Sequence, residues 1–209
     1  MSEVLPRLFR RLGFIRFIFP KPIRRRMAGR LIQDLPSRQF LLRELLPALA
    51  ADGRRRMLFV GAQSYNVPFY KSCADHEIAV WSIDLDPLSA KYGAPAGHFV
   101  GDIRQVHTLV GELCFDVIMF NGIFGFGVNT AEDASAAIES IAKVAEPGAL
   151  FIVGWNPGLT DGQEMAAIKP HVQATALAHI PSGAEFPPVG RLQRHPHRYE
   201  LFTLTSAVR

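Results

Sequence analysis

Gly61, Asp84, Asp102 and Asn121 each stand just after a short apolar run in this chain of 209 residues. Runs of that kind read as strands buried on both faces, the pattern a parallel sheet requires. Ligands of open α/β sheets lie outside the carboxyl ends of the strands, near the point where the strand order reverses. Residues in those positions are therefore the ones that can do chemistry. Gly61 permits a sharp turn and a close backbone approach to a ligand. Asp84, 23 residues further on, is placed to accept two hydrogen bonds from a ribose diol. Asp102 offers a carboxylate to the amino group of an adenine. Asn121 both donates and accepts, which suits a positioning group better than a base. Together these residues predict a site for a cofactor that carries a nucleoside.

Plainer readings stand beside these. Asp84 would cap a helix starting near Pro87, a role that suits Asp86 better. Asp102 would be a turn residue, and Asp116 sits at the start of its strand, far from the site. Asn121-Gly122-Ile123-Phe124-Gly125-Phe126-Gly127 is either a turn or a pocket wall in which Phe124 or Phe126 packs on an apolar substrate or faces a cation. Trp155 and Asn156 occupy the matching place after the next strand, and Trp155 is read as part of the pocket. His195 and His197, flanked by arginines in Arg194–Arg198, read as a solvated basic loop, with a general-base role left open. His171 and His179 read as ordinary helix or loop residues.

The elements that must position these residues follow from the apolar runs. Residues 57–60, 78–83, 98–100, 115–120 and 150–153 predict five buried strands; 199–204 predicts an edge or antiparallel strand. The segment from Thr130 to Ala145 predicts a helix with Thr130 as cap, ended by Pro147-Gly148. Ser37 is read as the cap of an earlier helix with Phe40, Leu41, Leu45 and Leu49 on its apolar face, kinked at Pro47. Strands alternating with helices predict an α/β fold, doubly wound around a mostly parallel sheet.

In that order the strand ends carry Val60-Gly61-Ala62, Ile83-Asp84-Leu85-Asp86-Pro87, Gly101-Asp102-Ile103, Phe115-Asp116-Val117-Ile118 and Glu146-Pro147-Gly148-Ala149-Leu150. This succession, over about residues 54–156, resembles the motifs of class I S-adenosylmethionine-dependent methyltransferases. The resemblance implies a Rossmann-like seven-stranded sheet whose last strand runs antiparallel. It implies that Gly61, Ala62 and Gln63 line the methionine part of the cofactor. Asp84 and Leu85 would hold the ribose, Asp102 and Ile103 would flank the adenine, and Asn121 and Gly122 would lie beside the methyl sulfonium. Asn121 and Trp155 would then form the catalytic and acceptor side. The loop departs from the family in one respect: Gly61-Ala62-Gln63-Ser64-Tyr65 keeps only the first of three glycines.

Apolar residues make up 48% of the chain and charged residues 20%, which places it among globular proteins and not disordered ones. Residues 1–30 hold nine basic side chains against Glu3, leaving 14 basic and 18 acidic residues in the remainder. The chain therefore divides into a basic arm with helices that pack on the core, residues 1–53, and a cofactor-binding domain, residues 54–209. The arm is read first as a lid helix, then as a membrane-surface or protein contact, and last as a nucleic-acid contact. No run reaches the ~20 apolar residues of a membrane span. Cys73 and Cys114 have no ligand-like spacing and read as buried apolar thiols in a reducing cytoplasm, with no metal site. The expected activity is methyl transfer to a small or medium-sized acceptor. The alternatives are an enzyme that cyclises or cleaves S-adenosylmethionine with release of methylthioadenosine, and a non-catalytic cofactor-binding or partner module.

Overall fold

The computed structural model describes residues 31–160, 162–190 and 193–205; the predicted basic arm lies outside them. Eight strands form one sheet: β1 (Arg56–Val60), β2 (Ala79–Asp84), β3 (Gly97–Val100), β4 (Phe115–Asn121), β5 (Ala145–Trp155), β6 (Val172–Ala174), β7 (Gly183–Phe186) and β8 (His197–Leu204). The order is β3-β2-β1-β4-β5-β8-β6, with β7 also paired to β8. The first five strands are parallel, and β8 is antiparallel to β5. The chain runs outward from β1 to β3 and then returns to β4 beside β1. The switch point thus lies at the carboxyl ends of β1 and β4.

Alternating residues of the central strands face two separate cores. Leu58, Val60, Ile118, Phe120, Phe151 and Val153 pack with Val106 of the short helix α4 (Val106–Leu109) and with the helix α5 (Ala131–Ala142), using its Ala134, Ala137, Ile138 and Ile141. Met57, Phe59, Val117, Met119, Leu150 and Ile152 pack with Leu45, Leu46 and Leu49, and with Phe69 and Tyr70 of α3 (Val67–Asp75). Burial on both faces is why these strands read as unbroken apolar runs.

Several local expectations change. The segment near Ser37 is α1 (Pro36–Phe40), a π-helical stretch Leu41–Leu45 and α2 (Leu46–Ala51). Ser37 lies within α1 and is buried; the N-cap position is Leu35, with no side-chain cap. Pro47 does not end the helix. The backbone N–H of Leu46 reaches back to the carbonyl of Leu41, and this wider turn accommodates a residue with no N–H to donate. Thr130 caps α5 through the N–H of Asp133, as its type predicts, but the helix ends at Ala142. Pro147-Gly148 lies instead in a bulge of β5, where the register against β4 shifts between Phe115 and Val117. β8 is not an edge, since β5 pairs on one side and β6 and β7 on the other. Cys73 is buried as expected, whereas Cys114 is only half-buried. Asp116 clamps the start of β1, its carboxylate accepting from the N–H groups of Arg55 (2.7 Å) and Arg56 (2.9 Å). Among the described residues no helix is long and apolar enough to cross a membrane.

Candidate active site

The loop after β1 is held from two directions. Gly61 has φ +85°, so the backbone favours glycine there, and a Cβ would stand 3.1 Å from Cδ1 of Ile123, a tight contact that the side chain would have to relieve. The N–H of Ala62 donates to Oδ2 of Asp84 at 2.6 Å, and Oδ1 accepts from the N–H of Asp86 at 2.9 Å. Asp84 therefore ties the end of β2 to the loop after β1. The capping role falls to Asp86, which accepts from the N–H of Leu88. Where the resemblance calls for a second glycine, Gln63 is extended, with φ −126° and ψ 156°. Tyr65 lies in the short 3-10 helix Ser64–Asn66. Polar side chains fix this path. Asn66 donates to the carbonyl of Gly61 at 3.2 Å and accepts from Arg38 at 3.4 Å, and the Arg38 guanidinium lies over the Tyr65 ring at 4.9 Å.

Two clefts meet here, and both are lined by Gly61, Asp84, Ile123 and Phe126. The smaller, about 80 Å³, extends past Leu85, Gly101, Asp102 and Ile103. Leu85 and Phe126 are 62% and 66% exposed, large apolar side chains left uncovered at its mouth. Asp102 caps the turn Ile103–Gln105 through the N–H of Arg104 and is gripped by the same residue's guanidinium, whose Nε lies 2.8 Å from Oδ2. That guanidinium also pairs with Asp133 of α5 and holds the Asp102 carboxyl below the usual carboxylate range. The larger cleft, about 530 Å³, is lined by Ser37, Arg38, Gln63, Tyr65, Asn66, Asn121, Gly122, Asn156, Gln193 and His197, among others.

Strand register sorts the remaining candidates. Asn121 pairs with Gly154 across β4 and β5, and Gly154 with Tyr199 across β5 and β8. The Asn121 amide crosses over Gly154: a Cβ on Gly154 would lie 2.2 Å from Asn121 Oδ1 and 2.6 Å from Tyr199 Cε1. Two residues on, His197 Nδ1 meets Asn156 Oδ1 at 2.7 Å. These side chains share one face of the sheet. Trp155 falls between Gly154 and Asn156, so the two-residue alternation of a strand sends it to the other face. There it packs against the α5-side core, and its Nε1 donates to Glu200 at 3.1 Å. The tryptophan expected in the pocket is thus parted from Asn121 by the sheet itself.

Burial shapes the titration of this face. Tyr199 is fully buried, which pushes its hydroxyl up to about 12 against the opposing effects of Arg38 and the Asn121 amide. Burial, with Arg38 adding to it, pushes His197 down to about 4, so its ring is neutral at pH 7. The His197 Nε2 atom is buried with no hydrogen-bond partner.

Gly61, Asp84, Leu85, Asp102, Ile103, Gln63, Asn121 and Gly122 all line the joined clefts. Ala62 and Trp155 do not line them; Ala62 is fully buried and contributes its N–H. Of the two phenylalanines, Phe124 packs into the core on Phe120 at 5.3 Å, and Phe126 faces the clefts. His197, read as part of a solvated loop, is the half-buried first residue of β8. Arg38, Tyr65 and Asn66 were not foreseen. The two-residue phase linking His197 to the buried Tyr199 and Leu201 was the available signal for His197; none marked Arg38. Among the described residues no group of three or more metal-binding side chains occurs.

No family model and no curated protein matches the sequence. Solved structures do match in shape. N-methyltransferase NodS from Bradyrhizobium japonicum, in complex with S-adenosyl-L-homocysteine, superposes with a TM-score of 0.62 at 14% identity, covering 84% of this chain and 91% of that one. 1,6-Didemethyltoxoflavin-N1-methyltransferase from Burkholderia thailandensis gives 0.54 at 15% identity, covering 99% and 93%. A TehB-like S-adenosylmethionine-dependent methyltransferase from Corynebacterium glutamicum gives 0.52 at 17%, covering 77% and 88%. The chain has the Rossmann-like fold of the class I methyltransferases, with the predicted antiparallel strand in place and one further short strand beside it.

Proposed function

We propose that this protein is an S-adenosylmethionine-dependent methyltransferase acting on a small acceptor. The observation that carries the reading is the meeting of two clefts at Asp84 and Gly61, on the switch point of a methyltransferase-type sheet. The residues present fit the cofactor. The smaller cleft offers Leu85 and Ile103 as apolar walls for an adenine, with the Asp102 carboxylate beside them. Asp84 already accepts two backbone N–H groups and retains lone pairs for a ribose diol. Gly61 leaves room where the two clefts join, and Gln63, Tyr65 and Arg38 border the larger one, where the methionine tail would lie. When bound, the sulfonium supplies an activated methyl group. The protein's task is then to hold the acceptor in line with it and exclude water, the source of most of the attainable rate gain. NodS and the toxoflavin enzyme, solved with S-adenosylhomocysteine and described as N-methyltransferases, support the same reading. The acidic body and basic arm would make residues 1–30 a cover or a surface contact for the cleft mouth, in a cytoplasmic protein.

The test is calorimetric titration of wild type and Asp84→Ala with S-adenosylmethionine and S-adenosylhomocysteine. Loss of a charged acceptor costs about 1.5–3 kcal/mol, roughly 10- to 100-fold in affinity. Binding by wild type, weakened by that factor in the variant, is the expected result. Wild type that binds neither compound overturns the reading. Release of methylthioadenosine without an acceptor would replace transfer by cleavage.

A further inference from the structure

The larger cleft is lined by polar side chains, Asn156, Gln193 and His197 among them, to which the cofactor reading gives no role. We propose that His197 Nε2 is the acceptor-binding group, holding the N–H of a neutral nitrogen nucleophile, an amine or a ring N–H, so that its lone pair points toward the methyl group. The inference rests on the methyltransferase reading and names the acceptor class for that same site.

Three features carry it. The contact of His197 Nδ1 with Asn156 Oδ1, 2.7 Å, assigns the ring proton to Nδ1, because an amide oxygen only accepts. Nε2 is then a bare lone pair, buried and without a partner. Such an atom is costly to leave unsatisfied, and here it belongs to a residue that lines the cleft. Close by, the buried Tyr199 ring holds the imidazole edge-on at 4.6 Å. An unsatisfied ring nitrogen on a residue that lines a cleft is a place where a ligand completes the hydrogen bonding.

The chemistry selects nitrogen over oxygen. A hydroxyl must lose its proton to attack, and an imidazole kept neutral by burial and by Arg38 is too weak a base to take it. A neutral amine attacks with the lone pair it already has. The new bond joins nitrogen to the methyl carbon, the carbon–sulfur bond breaks with its electron pair on sulfur, and S-adenosylhomocysteine results. The methylated nitrogen carries one proton too many, and since His197 is too weak a base to hold it, the proton is lost to water as the product leaves. Arg38 has no carboxylate partner among the described residues and disfavours an acceptor that is already an ammonium ion.

Aniline, phenol and N,N-dimethylaniline serve as probes, titrated into full-length wild type and His197→Phe saturated with S-adenosylhomocysteine. Imidazole ¹⁵N shifts report the tautomer and contact, and affinity is read from the same titration. Turnover is then compared with S-adenosylmethionine in its place. The expected result is a neutral His197 with Nε2 unprotonated, shifted by aniline. Aniline should bind roughly three- to tenfold tighter than N,N-dimethylaniline, a preference absent in His197→Phe, and N-methylaniline should form without anisole. A proton on Nε2, equal affinity for the two anilines, or a preference that survives His197→Phe overturns the proposal, as does anisole as the main product. Failure of S-adenosylhomocysteine to bind at all would instead overturn the methyltransferase reading, so the two failures are distinct.

Discussion

Replacing Gly154 by alanine tests the row of side chains that crosses the end of the sheet. The added Cβ would stand 2.2 Å from Asn121 Oδ1, 2.9 Å from its Cγ and 2.6 Å from Tyr199 Cε1. Favourable non-bonded carbon contacts lie near 3.5–4.0 Å, so the amide and the ring must each retreat by about 1 Å. Tyr199 is fully buried and cannot turn outward; Asn121 lines the cleft and will move into it. Overpacking of this kind costs about 1–3 kcal/mol, which at about 2–4 °C per kcal/mol for a chain of this size lowers Tm by roughly 2–12 °C. Differential scanning calorimetry measures the loss, and titration with S-adenosylhomocysteine measures the effect of displacing Asn121. The control is Asn121→Ala/Gly154→Ala, which removes the closest contact. The two changes should couple by about 1 kcal/mol or more, within the range for touching residues. A single variant that melts within about 1 °C of wild type, or a double variant whose losses simply add, would refute the packing argued here.

Three further outcomes follow from the same geometry. His197 binds its proton near pH 4 when folded and near 6.5 when free, so the folded state refuses a proton the unfolded state accepts; stability rises with pH across that window and is lost as pH falls through it. Urea denaturation at pH 7 and 5 should show about 2 kcal/mol of loss from this group, absent in His197→Gln. Trp155→Phe gives up one hydrogen bond to Glu200, worth about 1 kcal/mol, and should leave S-adenosylhomocysteine affinity within about twofold because the ring faces away from the clefts; a tenfold loss by calorimetry would contradict that placement. Tyr65→Gly removes the ring under Arg38 and adds backbone entropy of about 0.5–1 kcal/mol, so cofactor affinity should fall and not rise, as titration will show.

The central sheet was legible because β1, β2, β4 and the apolar part of β5 are buried on both faces, leaving runs such as Met57-Leu58-Phe59-Val60 that no surface segment resembles. β6 and β7 were not, since Val172–Ala174 and Gly183–Phe186 are short and largely exposed and so carry no apolar pattern. The strand-end residues came with the strands, which is why Asp84, Asp102 and Asn121 were named. Trp155 was named for its type, and only its register opposite Arg198, with the hydrogen bond to Glu200, places it on the far face. His197 was hidden by Arg194 and Arg198, whose charge suggests solvent, although Arg198 is satisfied on the opposite face by Glu185. Arg38 comes from a helix far away in sequence, and its meeting with Tyr65 and Asn66 is a product of packing alone.

The missing glycines of the first loop have a local explanation that bears on specificity. A glycine is favoured where φ is positive or where a Cβ would collide, and Gly61 meets the first condition, with a tight contact to Ile123 besides. Beyond it the backbone is extended at Gln63 and helical from Ser64, conformations open to any residue. The chain enters its helix early, and the short 3-10 helix is anchored by Asn66 on the Gly61 carbonyl and by Gln33 on the Tyr65 carbonyl at 2.5 Å. In place of bare backbone, this loop presents the Gln63 and Tyr65 side chains to the cleft, with Arg38 across from them. The departure therefore leaves the Asp84 end of the site intact and alters the end where, on the proposed reading, the methionine tail and the acceptor would meet. That is the end at which one methyltransferase-type fold can come to accept a different molecule.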